Sequence, residues 1–459
     1  MGDRYLKRFA AYAAQLRYED LPDATVHEVK RRVLDSIGVG IAAFTEALPK
    51  AARAWAYARP HPEGARLWGT PARAAPEVAA FANGVLVRYL DYNDTYLSRE
   101  PLHPSDMLPA LFAVAEWRRA NGRAFLVAAA LAYEVAVRLC DAASLRAHGW
   151  DHVNYITIGT ALGASRLLGL EAAALEHALA LAVVPHAAMR ATRAGELSMW
   201  KGAAAAAAAR GGVFAATLAA HGVTGPPQAF EGEMGFVQQL LGGAGFDEAA
   251  FAGLEAGHPP TAVLKTHLKR WPVEYHAQSA VEAALALHKA LGDPQRIARV
   301  RIETFRTAYE IIAKDPEKWA PTTRETADHS LPYIVAVALL DGAVSRATFA
   351  PERIQDPRLR AFLAEKVTLE EAPELSRGYP EGVPHRITVH TTDGRMLTQE
   401  VRHPRGHAAN PMSDAEVRAK YRANVQGMFS AAQAEAVEGM VWELEALGEV
   451  GALSARMVV

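Results

Sequence analysis

The chain has 459 residues, 50% apolar and 22% charged, which is ordinary globular composition with length enough for two domains. Lys and Arg total 49 against 51 Asp and Glu, a net charge of −2 that leaves no basic stripe for nucleic acid. One cysteine, Cys140, excludes an intramolecular disulfide, a cysteine-rich zinc site and a cysteine-held iron–sulfur cluster.

The first twenty residues carry charges throughout, without an apolar run of signal-peptide length. Glu134 and Arg138 interrupt the Ala-rich stretch that begins at Ala124, so no membrane span is expected, and a cytoplasmic enzyme is. Thr25-Val26-His27-Glu28 has the form of a capping box, and Val26, Val29, Val33, Ile37 and Ile41 follow at helical spacing. Pro76-Glu77 opens another helix with Val78, Phe81, Val85 and Tyr89 on one side. A third follows Ser105, a fourth covers 125–143, and two Ala-rich helices cover about 157–168 and 170–184. Cys140, beside Val135, Ala136 and Leu139, reads as a small buried hydrophobe. Gly202 and the alanines 203–209 predict a small-sided helix that ends at Gly211-Gly212.

The texture changes after Lys265. Val300, Ile302 and Thr304 alternate as a strand does, and 366–370 is a second strand. Segments 386–390 and 395–401 flank an Asp393-Gly394 turn and read as a hairpin. Ser413 to Glu416 is a second capping box, after which helical pattern returns. The expected fold is mainly α: a large all-helical domain (1–265 plus 401–459) with an inserted smaller α+β domain (266–400).

Residues 90–106, LDYNDTYLSREPLHPSD, set Asp91, Asp94, Thr95 and His103 just past a helix. Acids, a hydroxyl and an imidazole at a helix end suit an active-site rim, because they hold groups in two protonation states near neutral pH. His152 lies between Asp151 and Tyr155; as a lone histidine it would simply bond the backbone, but its neighbours point to a polar cleft. Arg190, Arg193 and Lys201 bracket Gly195-Glu196 at a helix entrance, an arrangement for anions as well as a solvated face. His276 follows Lys269, Arg270 and Pro272, and Tyr333 lies in a turn feeding an apolar helix. HExxH, GxxxxGK, GxSxG and GxGxxG are all absent. What remains suits a polycarboxylate: a base removes a proton beside a carboxylate, cations stabilise the charge that builds there, and an acid protonates the leaving hydroxyl.

Five stretches carry a more specific signal: LDYNDTY with HPSD, GELSMWKG, WPVEYHAQSAVEA, TRETADHSLPYIVA and GHAANPMSDAEV. In order and over essentially the whole chain they resemble the 2-methylcitrate dehydratase (MmgE/PrpD) family. The resemblance implies homodimers and a lyase that needs no metal and no cofactor. Its motif positions imply a site of Asp91, Thr95, His103, His152, Lys201, His276 and Tyr333; of these Asp91, His103, His152, Lys201 and Tyr333 are expected to be catalytic, and Thr95 and His276, with the cations Arg190, Arg193 and Lys269, to bind the substrate. His103 and His152 would transfer protons, the cations would hold carboxylates, and Asp94 would be a local cap. The implied reaction is dehydration of 2-methylcitrate, and possibly citrate, in propionate breakdown by the methylcitrate cycle. cis-Aconitate decarboxylation and epimerisation of an imino-dicarboxylate are the competing readings on the same scaffold. A fumarase-like enzyme lacks its glycine-serine signature here, and a non-enzymatic helical scaffold would not need so many ionisable helix ends.

Overall fold

The computed structural model describes residues 2–195 and 197–459 and is mainly α-helical. The described chain forms two compact units: residues 2–195, 199–266 and 413–459 in one, and 197–198 with 267–412 in the other. Residues 401–412, expected with the helical part, group with the second unit. There the Leu268 N–H donates to the Gly406 carbonyl at 2.9 Å.

In the first unit the main helices are α1 (Arg4–Gln15), α2 (Asp23–Ala42), α3 (Ala47–Tyr57), α4 (Pro76–Tyr89), α5 (Leu108–Trp117), α6 (Gly122–Ala142), α7 (Val153–Leu167), α8 (Ala172–Val183) and α9 (Ala204–Ala220). Two further helices, Asp414–Val425 and Ala431–Trp442, close it. The unit is not all helical: β1 (Pro60–Arg66) and β2 (Arg73–Ala74) form a small antiparallel sheet between α3 and α4. Its exposed, Pro- and Gly-containing β1 lacks the apolar alternation by which a strand is read.

Two local expectations fail for tertiary reasons. Thr25 does not cap α2, which starts at Asp23; instead its hydroxyl donates to the Pro260 carbonyl at 2.7 Å. Nor does α9 stop at Gly211-Gly212. A Cβ on Gly212 would stand 2.7 Å from the Thr157 carbonyl oxygen and 2.8 Å from the Ala161 amide of α7. The glycine therefore marks a close helix crossing, and contact with α7 outweighs its weak helix propensity. Gly84 of α4 meets Ala206 of α9 in the same way, with 2.8 Å between a built Cβ and the alanine methyl. Small side chains thus draw α4, α7 and α9 together, and the end of α4 and the start of α7 carry the residues described next. Ser413 caps its helix as a reciprocal box with Glu416. Cys140 is fully buried.

In the second unit a four-stranded sheet runs in the order β4-β3-β5-β6. Here β3 is Ile297–Thr304, β4 Val367–Glu371, β5 His385–Thr391 and β6 Met396–Val401. β3 pairs parallel with β4 and antiparallel with β5, and β5–β6 is the hairpin with Gly394 at positive φ in its turn. The helix Gln278–Leu291 packs on β5 and β6 and on the apolar helix Leu331–Asp341. Among the described residues no helix is long and apolar enough to cross a membrane.

Candidate active site

Helix α4 ends at Tyr89, and the chain turns sharply at Asp91, whose φ is +50°. Non-glycine residues rarely adopt this conformation, although Asp tolerates it better than most. The Arg88 guanidinium in the last turn of α4 donates to Asp91 Oδ1, and Lys201 Nζ lies 3.4 Å from Asp91 Oδ2. All three side chains are buried. Lys201 sits in a single turn, Met199–Gly202, that leads into α9.

The loop after Asp91 closes on itself. Tyr96 and Leu102 exchange backbone hydrogen bonds of 2.8 and 3.0 Å, and the Thr95 hydroxyl donates to the Leu102 carbonyl at 3.1 Å. The Thr95 hydroxyl proton is therefore engaged within the loop, and its oxygen lone pairs remain to accept. Asp94 is the clamp. Its carboxylate accepts from the Ser105 amide at 2.9 Å and from the Tyr133 hydroxyl of α6 at 2.8 Å. Burial raises the Asp94 carboxyl, an effect opposed by Arg32 of α2, whose Nε lies 3.8 Å away.

The Asp94 carbonyl accepts from His103 Nδ1 at 2.7 Å. A carbonyl can only accept, so Nδ1 carries the proton and the lone pair of a neutral ring is on Nε2. The His152 ring lies with its centroid 5.9 Å from that of His103. It is buried at the start of α7, and among the described residues neither ring nitrogen has a hydrogen-bond partner. Burial, reinforced by the Arg193 guanidinium, pushes His152 well below the usual imidazole range and keeps it neutral. Arg193 Nε donates to Asp151 Oδ1 at 3.0 Å, while Arg193 Nη2 is buried without a partner among the described residues. Burial alone would raise Asp151, but the Arg193 guanidinium outweighs it and holds the carboxylate below its ordinary range. Arg190 is half-buried nearby, its pKa lowered by burial although Glu100 opposes this. A neutral imidazole, a tautomer-fixed imidazole and a guanidinium with an unused buried N–H thus share one small region. Such a region can take a proton from carbon, return one to oxygen and hold a carboxylate.

The other expected residues lie in the second unit. His276 is buried, with Nδ1 2.8 Å from Glu274 Oε1 and Nε2 3.5 Å from the Tyr379 hydroxyl. Burial would raise Glu274, but His276 and, more weakly, His329 and Lys269 bring it down to about 2. Lys269 is fully buried. Tyr333 lies within the first turn of helix Leu331–Asp341 rather than in the turn before it. Its hydroxyl donates to the Thr348 carbonyl at 2.6 Å, and burial raises its pKa.

Two family models cover most of the chain: the MmgE/PrpD N-terminal domain matches residues 7–249 and the C-terminal domain matches 271–446. A 2-methylcitrate dehydratase of Cupriavidus necator is 31% identical over 455 residues, 92% of this chain and 90% of that protein. The chain belongs to the MmgE/PrpD family. An alkylcitrate dehydratase of a fungal species is 29% identical over 94% of this chain and 89% of its own length. A cis-aconitate decarboxylase of Mus musculus is 29% identical over 97% of this chain and 92% of its own length.

In this MmgE/PrpD protein the first unit gathers Asp91, Thr95, His103, His152, Arg190, Arg193 and Lys201, while Lys269, His276 and Tyr333 belong to the second. Several participants escaped the sequence reading. Arg88 stands three residues before Asp91 at helical spacing, a signal open to inspection, and Asp106 closes the same segment. Glu274 stands two residues before His276. Tyr133 and Tyr379 carried no local signal, because only folding brings them to Asp94 and His276.

Proposed function

We propose that this chain is a hydro-lyase that dehydrates 2-methylcitrate, and citrate as a second substrate, to the corresponding cis-aconitate by side-chain acid/base chemistry. That it is an enzyme of the dehydratase type follows from its family and from relatives named as 2-methylcitrate dehydratases. The observation that carries the reaction is the His103–His152 pair, 5.9 Å apart and beside Arg193.

In the proposed step His152, neutral and without a hydrogen-bonded partner among the described residues, takes the proton from the carbon next to a substrate carboxylate. The C–H electron pair becomes the new C=C bond, and the C–O bond to the neighbouring hydroxyl breaks. His103, protonated at Nε2 while Nδ1–H stays on the Asp94 carbonyl, gives its proton to the departing oxygen, which leaves as water. Arg193 and Lys201 hold the carboxylate on which charge builds, where fixed cations lower the barrier most. Lys269 and His276 are assigned to substrate binding and Tyr333 to the catalytic set. Proton exchange with solvent resets the two imidazoles. The methylcitrate cycle of propionate catabolism is the setting proposed, in the cytoplasm and as a homodimer. The exposed apolar side chains Val184, Met189, Met199 and Trp200 support the dimer, and sedimentation tests it.

The deciding assay offers purified protein 2-methylcitrate, citrate and cis-aconitate separately, each with chelator present. A rising ultraviolet absorbance of a conjugated alkene from the first two is expected. Release of carbon dioxide from cis-aconitate without dehydration would favour decarboxylation, the reading that the mouse relative supports. Loss of activity with chelator would overturn the metal-free chemistry.

A further inference from the structure

Asp91 occupies the position just past α4 where a helix commonly ends in a left-handed residue, and there glycine is the usual occupant. A glycine would serve the turn without strain. An aspartate there suggests that its carboxylate is needed, and the surroundings show for what. Arg88 Nη1 donates to Asp91 Oδ1, and Lys201 Nζ lies 3.4 Å from Asp91 Oδ2. On its other side, Arg88 Nε lies 3.7 Å from Asp106 Oδ2. Asp106 Oδ1 in turn accepts from Asn93 Nδ2 at 2.8 Å, and the same amide reaches Ser105 Oγ at 2.9 Å. Asp106, Arg88, Asp91 and Lys201 therefore form a chain of alternating charge, every member at least nine-tenths buried.

We infer that Arg88 is a positioning residue: held by Asp106, it fixes the Asp91 carboxylate in the left-handed turn so that Asp91 aims the Lys201 ammonium at the substrate carboxylate. The inference rests on the dehydratase reading. Arg88 touches no reacting atom and acts only through Asp91. Its planar fork suits the task, because one guanidinium can address carboxylates on two sides, whereas a lysine ammonium is a single point of charge. Asp106 belongs to the same device. Burial, partly offset by Arg88, raises its carboxyl to about 7, so the fully charged chain is completed on the alkaline side of neutrality.

A double-mutant cycle tests this, with Arg88→Gln, Asp91→Asn and the double variant assayed on 2-methylcitrate. Arg88→Gln alone is expected to lower kcat about 100-fold, the effect of misplacing a reacting partner by roughly an ångström. With Asp91 already replaced by Asn, the same change is expected to alter kcat less than about threefold, because the path through Asp91 is gone. Multiplicative effects in the double variant would overturn the inference. Should Arg88→Gln not fold, as judged by circular dichroism, the cycle is run with Arg88→Lys under the same criterion. Binding of tricarballylate, which has no hydroxyl to lose, is followed by calorimetry alongside. A wild type that neither binds it nor turns over any tricarboxylate defeats the dehydratase reading and this inference with it. A wild type that does both, with multiplicative mutant effects, defeats the inference alone.

Discussion

Replacing His152 by Gln tests the central claim that this imidazole is held neutral inside the first unit. The unfolded ring has an ordinary pKa of about 6.5. In the folded protein, burial and then Arg193 push it well below that value. At pH 5.5 the unfolded ring binds about 0.9 of a proton, and the folded ring, held lower, binds less. Unfolding the wild type at pH 5.5 therefore takes up more protons than unfolding His152→Gln, by up to about 0.9. The sign follows from linkage. The unfolded state binds more protons where its ring titrates, so this group costs stability as pH falls, by no more than about 1 kcal/mol per unit near pH 5.5. From about pH 8 upward both states carry a neutral ring and the contribution is flat. The measurement is proton uptake in a pH-stat on transfer to guanidinium chloride, which needs no two-state assumption for a chain of two units. Equal uptake by the two proteins would refute the reasoning, because His152 would then titrate alike folded and unfolded.

Other expectations follow from the same geometry. His103→Ala should keep the fold, as judged by circular dichroism, and lower kcat by roughly 10²–10⁴, the worth of a placed proton donor; near-normal turnover would remove His103 from the mechanism. Arg193→Gln leaves the fully buried Asp151 without its guanidinium, 3.0 Å away in the native protein. Losing one partner of such a pair costs about 3–5 kcal/mol, so a lower thermal midpoint together with a raised KM is expected, and an unchanged midpoint would contradict the pairing. Gly212→Ala would place a methyl 2.7 Å from the Thr157 carbonyl oxygen. Thermal unfolding should show about 1–3 kcal/mol of destabilisation, although alanine favours a helix over glycine.

Legibility in the sequence tracked the range of the interaction responsible. Helix α4 could be read from Pro76 and its apolar spacing, the hairpin from Asp393-Gly394, and the helix after Ser413 from its reciprocal bonds with Glu416. In each case the stabilising contact lies within a few residues. The same grammar failed at Thr25, whose hydroxyl goes to Pro260, and at Gly212, whose missing side chain admits α7. There a partner far along the chain outweighs a local preference of a few tenths to one kcal/mol.

The residue types of the candidate site were likewise visible in the segment from Leu90 to Asp106, but their states were not. Composition and local pattern determined a mainly helical enzyme-like chain, and its ordered motifs determined the family. Only the tertiary structure decided that the Asp94 carbonyl sets the His103 tautomer and that burial beside Arg193 keeps His152 neutral. It also decided that the Thr95 and Tyr333 hydroxyls donate to backbone carbonyls. Protonation state and hydrogen-bond direction depend on desolvation and on partners distant in sequence, and both come into being only when the chain has folded.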